Sequence, residues 1–257
     1  MRQDVKDIVN ICRAFYIIFH FLGFLLFLLT DNQAVSSTFS SIFFWGLKLL
    51  AGILFFIAGK NPGYITKIEL KSCNELQDTD WKIPNQHFCE VCKILQPYRS
   101  RHCFDCEECI SKFDHHCFWL GSCVGELNHF RFAFYLVLEC FSLTWAVYFC
   151  FHGTNYTEIA FYVILGIICA SFTMLTGGLG IFHVYLISIG ATTWEIMRRK
   201  SISYLKPYPM NFQPFSKGFC QNWKDAITVR EATLWALPRP LVVYPFNWFD
   251  NEYWSCC

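Results

Sequence analysis

Charge is what this 257-residue chain has little of: Asp, Glu, Lys and Arg together make up 16% of it, against roughly 25% in an ordinary soluble domain. So few ionic groups cannot cover a soluble surface, which argues for a membrane protein. The net charge of +1 leaves no basic field for nucleic acid. Apolar residues, including 28 Phe, make up 54% of the chain. Four stretches are long enough to span a bilayer, which takes about 20 mostly apolar residues: Ile11–Thr30, Phe39–Gly59, Phe132–Phe151 and Ile159–Ile189. The first lacks a small-residue cleavage pattern and is followed by Asp31-Asn32-Gln33, so it reads as a retained span and not a signal peptide.

Lys and Arg are absent from two short loops, around Asp31–Thr38 and His152–Glu158. Lys48 lies inside the second span. The other basic residues fall in the N-terminal segment through Arg13, in Lys60–Arg131 and in the tail from Arg198. The positive-inside rule then puts both termini and the long middle segment in the cytosol. Lys48 and Glu139 sit within spans two and three, where charges are rare and usually paired. They are expected to pair and fix helix register.

Of the 15 cysteines, seven lie between Cys89 and Cys123. In a reducing compartment such density points to metal or catalysis and not to disulfides. Cys89-Glu-Val-Cys92 is one CxxC, and Cys103-Phe-Asp-Cys106-Glu-Glu-Cys109 overlaps two more. Such pairs let two thiolates converge on one tetrahedral ion. Two closed zinc sites need eight donors. The window offers its seven cysteines plus His102, His115 and His116. One Cys and one His can be spared as a nucleophile and its base, and Asp114-His115-His116-Cys117 is where to look for them. Spacing alone leaves open whether Cys117 is free, a further ligand or a buried small residue.

Asp114-His115-His116-Cys117, with Trp119, Cys123-Val124-Gly125 and Asn128, resembles the signature of the DHHC protein S-acyltransferases. Pro97-Tyr98-Arg99-Ser100-Arg101-His102-Cys103 is similar to the family's approach to its His-Cys pair. Thr192-Thr193-Trp194-Glu195 resembles its TTxE motif, Asn61-Pro62-Gly63 its DPG motif, and Pro214-Phe215-Ser216-Lys217-Gly218 with Asn222 its C-terminal element. The resemblance covers about residues 11 to 225. Phe118, Gly121-Ser122, Asn61 and Gln96 depart from the usual pattern.

The resemblance implies an all-α membrane protein: four transmembrane helices, with a small cytosolic two-zinc cysteine-rich domain between helices 2 and 3. Residues 1–60 would hold helices 1 and 2, 61–131 the zinc domain, 132–190 helices 3 and 4, and 191–257 a cytosolic tail. Cys89, Cys92, His102 and Cys109 would hold one structural zinc, and Cys103, Cys106, His116 and Cys123 the other. Cys117 would be the nucleophile, His115 its base and Asp114 the orienting acid, with Thr193 contacting Asp114 and Asn222 bracing the site. Arg99 would meet the CoA phosphates, and Phe132, Tyr135 and Ser142 the acyl chain.

The implied activity moves a long-chain acyl group, palmitoyl, from acyl-CoA to membrane-proximal cysteines of substrate proteins. The setting would be an endomembrane, Golgi or ER, with the catalytic side cytosolic. The alternative is a membrane-anchored zinc scaffold without transfer, but a ring-type ligand order would end in another CxxC, and this cluster ends at Cys123. A transporter is disfavoured because the spans offer little polar lining. The sequon Asn155-Tyr156-Thr157 sits in a very short loop and is expected to be unused. Cys256-Cys257 does not fit C-a-a-X, because Trp254 occupies the needed position. No appended recognition repeat is present, so substrate choice is expected to come from the tail, which is rich in aromatic residues over 226–257, from the membrane surface or from a partner.

Overall fold

The structure, a computed structural model, describes residues 3–29, 38–65, 87–152, 159–233 and 235. The sequon at 155–157 and most of the 226–257 segment lie outside the described residues. Four long helices follow the apolar stretches: α1 (Gln3–Leu29), α2 (Thr38–Ala58), α3 (His129–Phe151) and α4 (Ile159–Ser188). Three of them are long and apolar enough to cross a membrane: α2 from Ser40, α3 and α4. The apolar stretch of α1 is shorter, Val9–Gly23. A helix suits these sequences because it satisfies every backbone polar group internally where no water is available. α3 is the central element and packs along both α2 and α4.

The expectation of an all-α chain needs correcting in the cysteine-rich segment. Between α2 and α3 lie six short strands forming three antiparallel hairpins: β1 (Phe88–Cys89) with β2 (Ile94–Leu95), β3 (Arg101–Cys103) with β4 (Glu108–Ile110), and β5 (His115–Cys117) with β6 (Ser122–Val124). In the first two hairpins the physical reason is the CxxC turn itself, and in the third it is a turn at Gly121, whose N–H donates to Cys117 O at 2.9 Å. The Cys92 N–H donates to Cys89 Sγ at 3.4 Å, and the Cys106 N–H to Cys103 Sγ at 3.5 Å. The residue after each turn, Lys93 (φ +56°) or Glu107 (φ +59°), takes the left-handed conformation that reverses the chain. A chain reversed so tightly runs back beside itself and pairs as a hairpin.

Three connections seat the hairpins on the helices. The Asn128 side chain, fully buried, donates to Ala58 O (2.7 Å) and Cys123 O (2.9 Å) and accepts from the Gly125 N–H (2.8 Å), joining the end of α2, β6 and the start of α3. Arg13 Nη2 of α1 donates to Leu120 O at 3.0 Å. Beyond α2, the Ser111 N–H donates to Gly63 O (2.8 Å), and Asn61 Oδ1 accepts from the Gly63 N–H (2.9 Å). Asn61 therefore makes the turn that Asp would make in the DPG motif. After α4 come a short helix α5 (Thr193–Arg198), a 3-10 turn and α6 (Phe219–Thr228), which packs on α4.

Candidate active site

The hairpins bring the Cys and His donors together in two sets. Strand register places His102 opposite Cys109 and His116 opposite Cys123, and directly opposed side chains are neighbours. Cys89, Cys92, His102 and Cys109 form one group and Cys103, Cys106, His116 and Cys123 the other, with the ligand atoms of each within 4.8 Å of one another. A tetrahedral zinc with bonds of about 2.3 Å to S and 2.0 Å to N has S···N edges near 3.5 Å and S···S edges near 3.8 Å. The structure gives 3.3 Å for Cys92–His102, 3.9 Å for Cys109–His102, 3.4 to 3.6 Å for the three thiols on His116, and 3.5 Å for Cys106–Cys123. Both donor sets fit a tetrahedral thiophilic ion. The thiols of the second set compete for one negative charge: hydrogen bonds from Cys106 and Cys123 hold Cys103 far below the usual thiol range, and bonding to Cys103 and Cys106 pushes Cys123 far above it. A divalent cation relieves that competition.

Cys117 belongs to neither set. It ends β5 and packs against a cluster containing Tyr16, Phe55, Leu120, Phe132 and Leu136. The Cys117 thiol lies near enough to His115 to act on its pKa, and His115 Nδ1 lies 2.7 Å from Asp114 Oδ2. Asp114 is 1% exposed. Burial alone would lower the His115 pKa, but the interactions with Asp114 and Cys117 outweigh it and raise it from 6.5 to about 9. Burial would raise Asp114, yet its bond to His115 helps hold the carboxyl well below the usual range.

The other oxygen of Asp114, Oδ1, accepts from the Thr193 N–H at 2.7 Å. Thr193 thus reaches Asp114 through its backbone, as first residue of α5. That helix is fixed by a capping box: Thr192 Oγ1 accepts from the Glu195 N–H (3.2 Å) and Glu195 Oε2 from the Thr192 N–H (3.0 Å). Glu195 in turn receives Arg99 Nε and Nη2, both at 2.7 Å. Asn222 braces the same corner: its Nδ2 donates to Ser188 O and Ser216 Oγ, and its Oδ1 accepts from the Lys217 N–H, each at 2.9 Å.

Two of the expected contact residues are engaged in bonds within the protein. The Arg99 side chain is 0% exposed, bidentate on Glu195, bonded to Gly190 O at 2.8 Å and set 4.5 Å from the rings of both Phe215 and Trp235. Its charge is met by Glu195, while Nη1 has no hydrogen-bond partner among the described residues and Arg99 lines a cavity with Lys112 and Lys217. Ser142 is fully buried and donates to Glu139 O (2.9 Å), and it is not among the residues lining the cavity beside Cys117.

That cavity, about 200 Å³, runs from Cys117 and Trp119 between α1, α3 and α4. Phe132, Tyr135, Leu136, Glu139 and Leu143 line it from α3, one face at helical spacing. The sequence reading missed two features here. One is the buried His129–His183 pair (Nε2···Nδ1 3.0 Å), with the His183 ring 5.7 Å from that of His115; His183 carries no local motif. The other is Glu139 in the cavity wall, legible only as an intramembrane charge.

The family model described as DHHC palmitoyltransferase matches residues 82–200. The chain is 29% identical over 253 residues to probable protein S-acyltransferase 1 of Arabidopsis thaliana, covering 82% of this chain and 71% of that protein. It is 32% identical over 199 residues to putative ZDHHC-type palmitoyltransferase 7 of Dictyostelium discoideum, covering 68% and 44%. It is 31% identical over 195 residues to human palmitoyltransferase ZDHHC12, covering 68% and 70%.

Proposed function

Since this chain belongs to the DHHC palmitoyltransferase family, we propose that it acts as a protein S-acyltransferase whose Cys117 carries the acyl group between acyl-CoA and a substrate cysteine. The observation that carries this reading is the Asp114–His115–Cys117 array opening onto a largely apolar cavity. In the first step the Cys117 thiolate attacks the thioester carbonyl, the C–S bond to CoA breaks, and the leaving thiolate takes a proton held by His115. In the second, a substrate thiol gives its proton to His115 and its sulfur attacks the acyl-enzyme, releasing Cys117. One thioester replaces another in each step, so no ATP is needed. Asp114 stays ionised throughout and holds the His115 ring and tautomer.

The eight Cys and His donors would hold two structural zinc ions, whose part is to tie the hairpins so that β5 presents Cys117; with four protein ligands each, they leave no open position. We also read α1 as a fourth span, with divisions at 1–60, 61–131, 132–190 and 191–257. Both termini and the zinc domain would face the cytosol of an endomembrane, Golgi or ER, because the two short loops carry no Lys or Arg. Its substrates would be proteins with cysteines close to the bilayer.

Incubation of the purified chain with radiolabelled palmitoyl-CoA tests the reading. A hydroxylamine-sensitive label on wild type, absent from Cys117→Ser at an unchanged zinc content near two per chain, is expected. No label on folded, zinc-loaded wild type would favour the scaffold reading instead.

A further inference from the structure

The acyl cavity is not apolar throughout. Lys48 Nζ of α2 lies 2.7 Å from Glu139 Oε1 of α3, and His20 Nε2 of α1 lies 3.5 Å from the same oxygen. The Glu139 side chain is 3% exposed, and those of Lys48 and His20 are 15% and 21%. Both Glu139 and His20 line the cavity, opposite Phe172, Leu175 and Thr176 of α4. Glu139 and His20 therefore stand at one level of a wall that is otherwise apolar or uncharged, with Lys48 paired to Glu139 from behind it.

Depth follows from helix geometry. Cys117 packs against the cluster that includes Phe132 and shares the cavity lining with it. From Phe132 to Glu139 the helix rises about 10 Å at ~1.5 Å per residue. An extended covalent chain advances about 3.5 Å per three bonds. A chain esterified at Cys117 thus meets Glu139 at about its ninth or tenth carbon, and the rest of a palmitoyl chain must pass the ion pair to reach Leu143 and Phe172. Methylenes gain from leaving water only where the wall is apolar. Against an ion pair they strip polar groups of hydration without replacing it.

We propose that the Lys48–Glu139 pair with His20 forms a polar band in the acyl cavity that halts the gain in affinity with chain length at about ten to twelve carbons, making medium-chain acyl-CoAs as good donors as palmitoyl-CoA. This rests on the reading of Cys117 as the acyl carrier. The band also does more than a pair that merely fixes helix register, because Glu139 and the adjoining His20 line the cavity.

Competition for Cys117 acylation by CoA thioesters of 8 to 18 carbons, on the full chain in nanodiscs, tests the proposal. Each methylene buried in an apolar wall is worth about fourfold in affinity. The wild type is expected to follow that slope through the short members and to change less than about twofold between 12 and 16 carbons. In Lys48→Met/Glu139→Leu, which removes both charges together, the 16-carbon donor is expected to exceed the 12-carbon one at least tenfold. His20→Leu, which leaves the pair intact, should steepen the slope in part. A wild-type slope that continues to 16 carbons overturns the proposal, as does an identical profile in wild type and the double variant. If the double variant does not fold, the wild-type profile decides alone. Acylation by no thioester at all would instead sink the reading of Cys117 as carrier.

Discussion

Asp114 spends both oxygens on the site, one on His115 and one on the Thr193 N–H, and its charge helps lift His115 to about 9. An imidazole that binds its proton more tightly folded than unfolded contributes stability that is full below pH 6.5 and lost as pH rises through about 9. In the proposed mechanism the same proton serves the leaving CoA thiolate. Acylation of Cys117 is therefore expected to fall above pH ~9. In Asp114→Asn that basic limb should move down toward the ordinary His value and the maximal rate should drop, as rapid-quench acylation against pH would record. Gly121 shows a second constraint at this scale. Its φ is +67°, and a Cβ there would collide with Val9 of α1. Where the family usually has Asn, this chain has the one residue that lets α1 approach. Gly121→Asn is expected to cost about 1–3 kcal/mol of stability, measured by thermal unfolding, with Val9→Ala restoring part of it. Counting donor types in the sequence yields two closed sites plus one spare Cys and one spare His. Which ones are spare depends on strand register, His102 facing Cys109 and His116 facing Cys123, and spacing does not encode register. Only the family resemblance pointed to Cys117.

The element that sets the geometry of Asp114 is the six-residue helix α5, too short to hold itself without its cap. Its anchor is the buried Arg99–Glu195 pair, and Arg99 sits at φ +65°, a left-handed conformation uncommon outside glycine. Removing one partner strands a buried charge. Glu195→Gln or Arg99→Met is expected to destabilise the fold by about 3–5 kcal/mol, seen in chemical unfolding. The double variant Arg99→Met/Glu195→Leu should recover much of that stability while leaving acylation low, since the Thr193 N–H is no longer held against Asp114. The sequence showed Arg99 only as a cation in a motif, and a cation near a CoA-binding surface suggests a phosphate contact. Its partner lies 96 residues away, so burial and bidentate pairing belong to tertiary structure. The long helices were legible for the opposite reason. Twenty-odd apolar residues have few other places to go, and the expected stretches match helices α1 to α4 to within a few residues except at the N-terminus of α1, which begins at Gln3, though only α2, α3 and α4 are long and apolar enough to cross a membrane.

At the scale of the molecule, two kinds of stability meet at Cys117. The helices satisfy their own backbone and rest on one another and on lipid. The hairpins, with strands of two or three residues, are too small to persist without a metal ion in each donor set. The interface between them combines single hydrogen bonds, Asn128 to Ala58 O and Arg13 to Leu120 O, with one apolar cluster in which Leu120 and Val124 meet Tyr16, Phe55, Phe132 and Leu136. Stripping the metal with a high-affinity chelator is therefore expected to abolish acylation and expose the amides of residues 88–124 to rapid hydrogen exchange. Amides in α3 and α4 should keep their protection. Restoring zinc should return both activity and protection. Cys89→Ser should uncouple the halves of the cluster, losing about one zinc and the protection of β1 and β2 while β5 and β6 keep theirs, because the second donor set shares no ligand with the first. If the helices instead lost protection together with the hairpins, the two layers would be one cooperative unit, and the link at Asn128 would carry more of the fold than its three hydrogen bonds suggest.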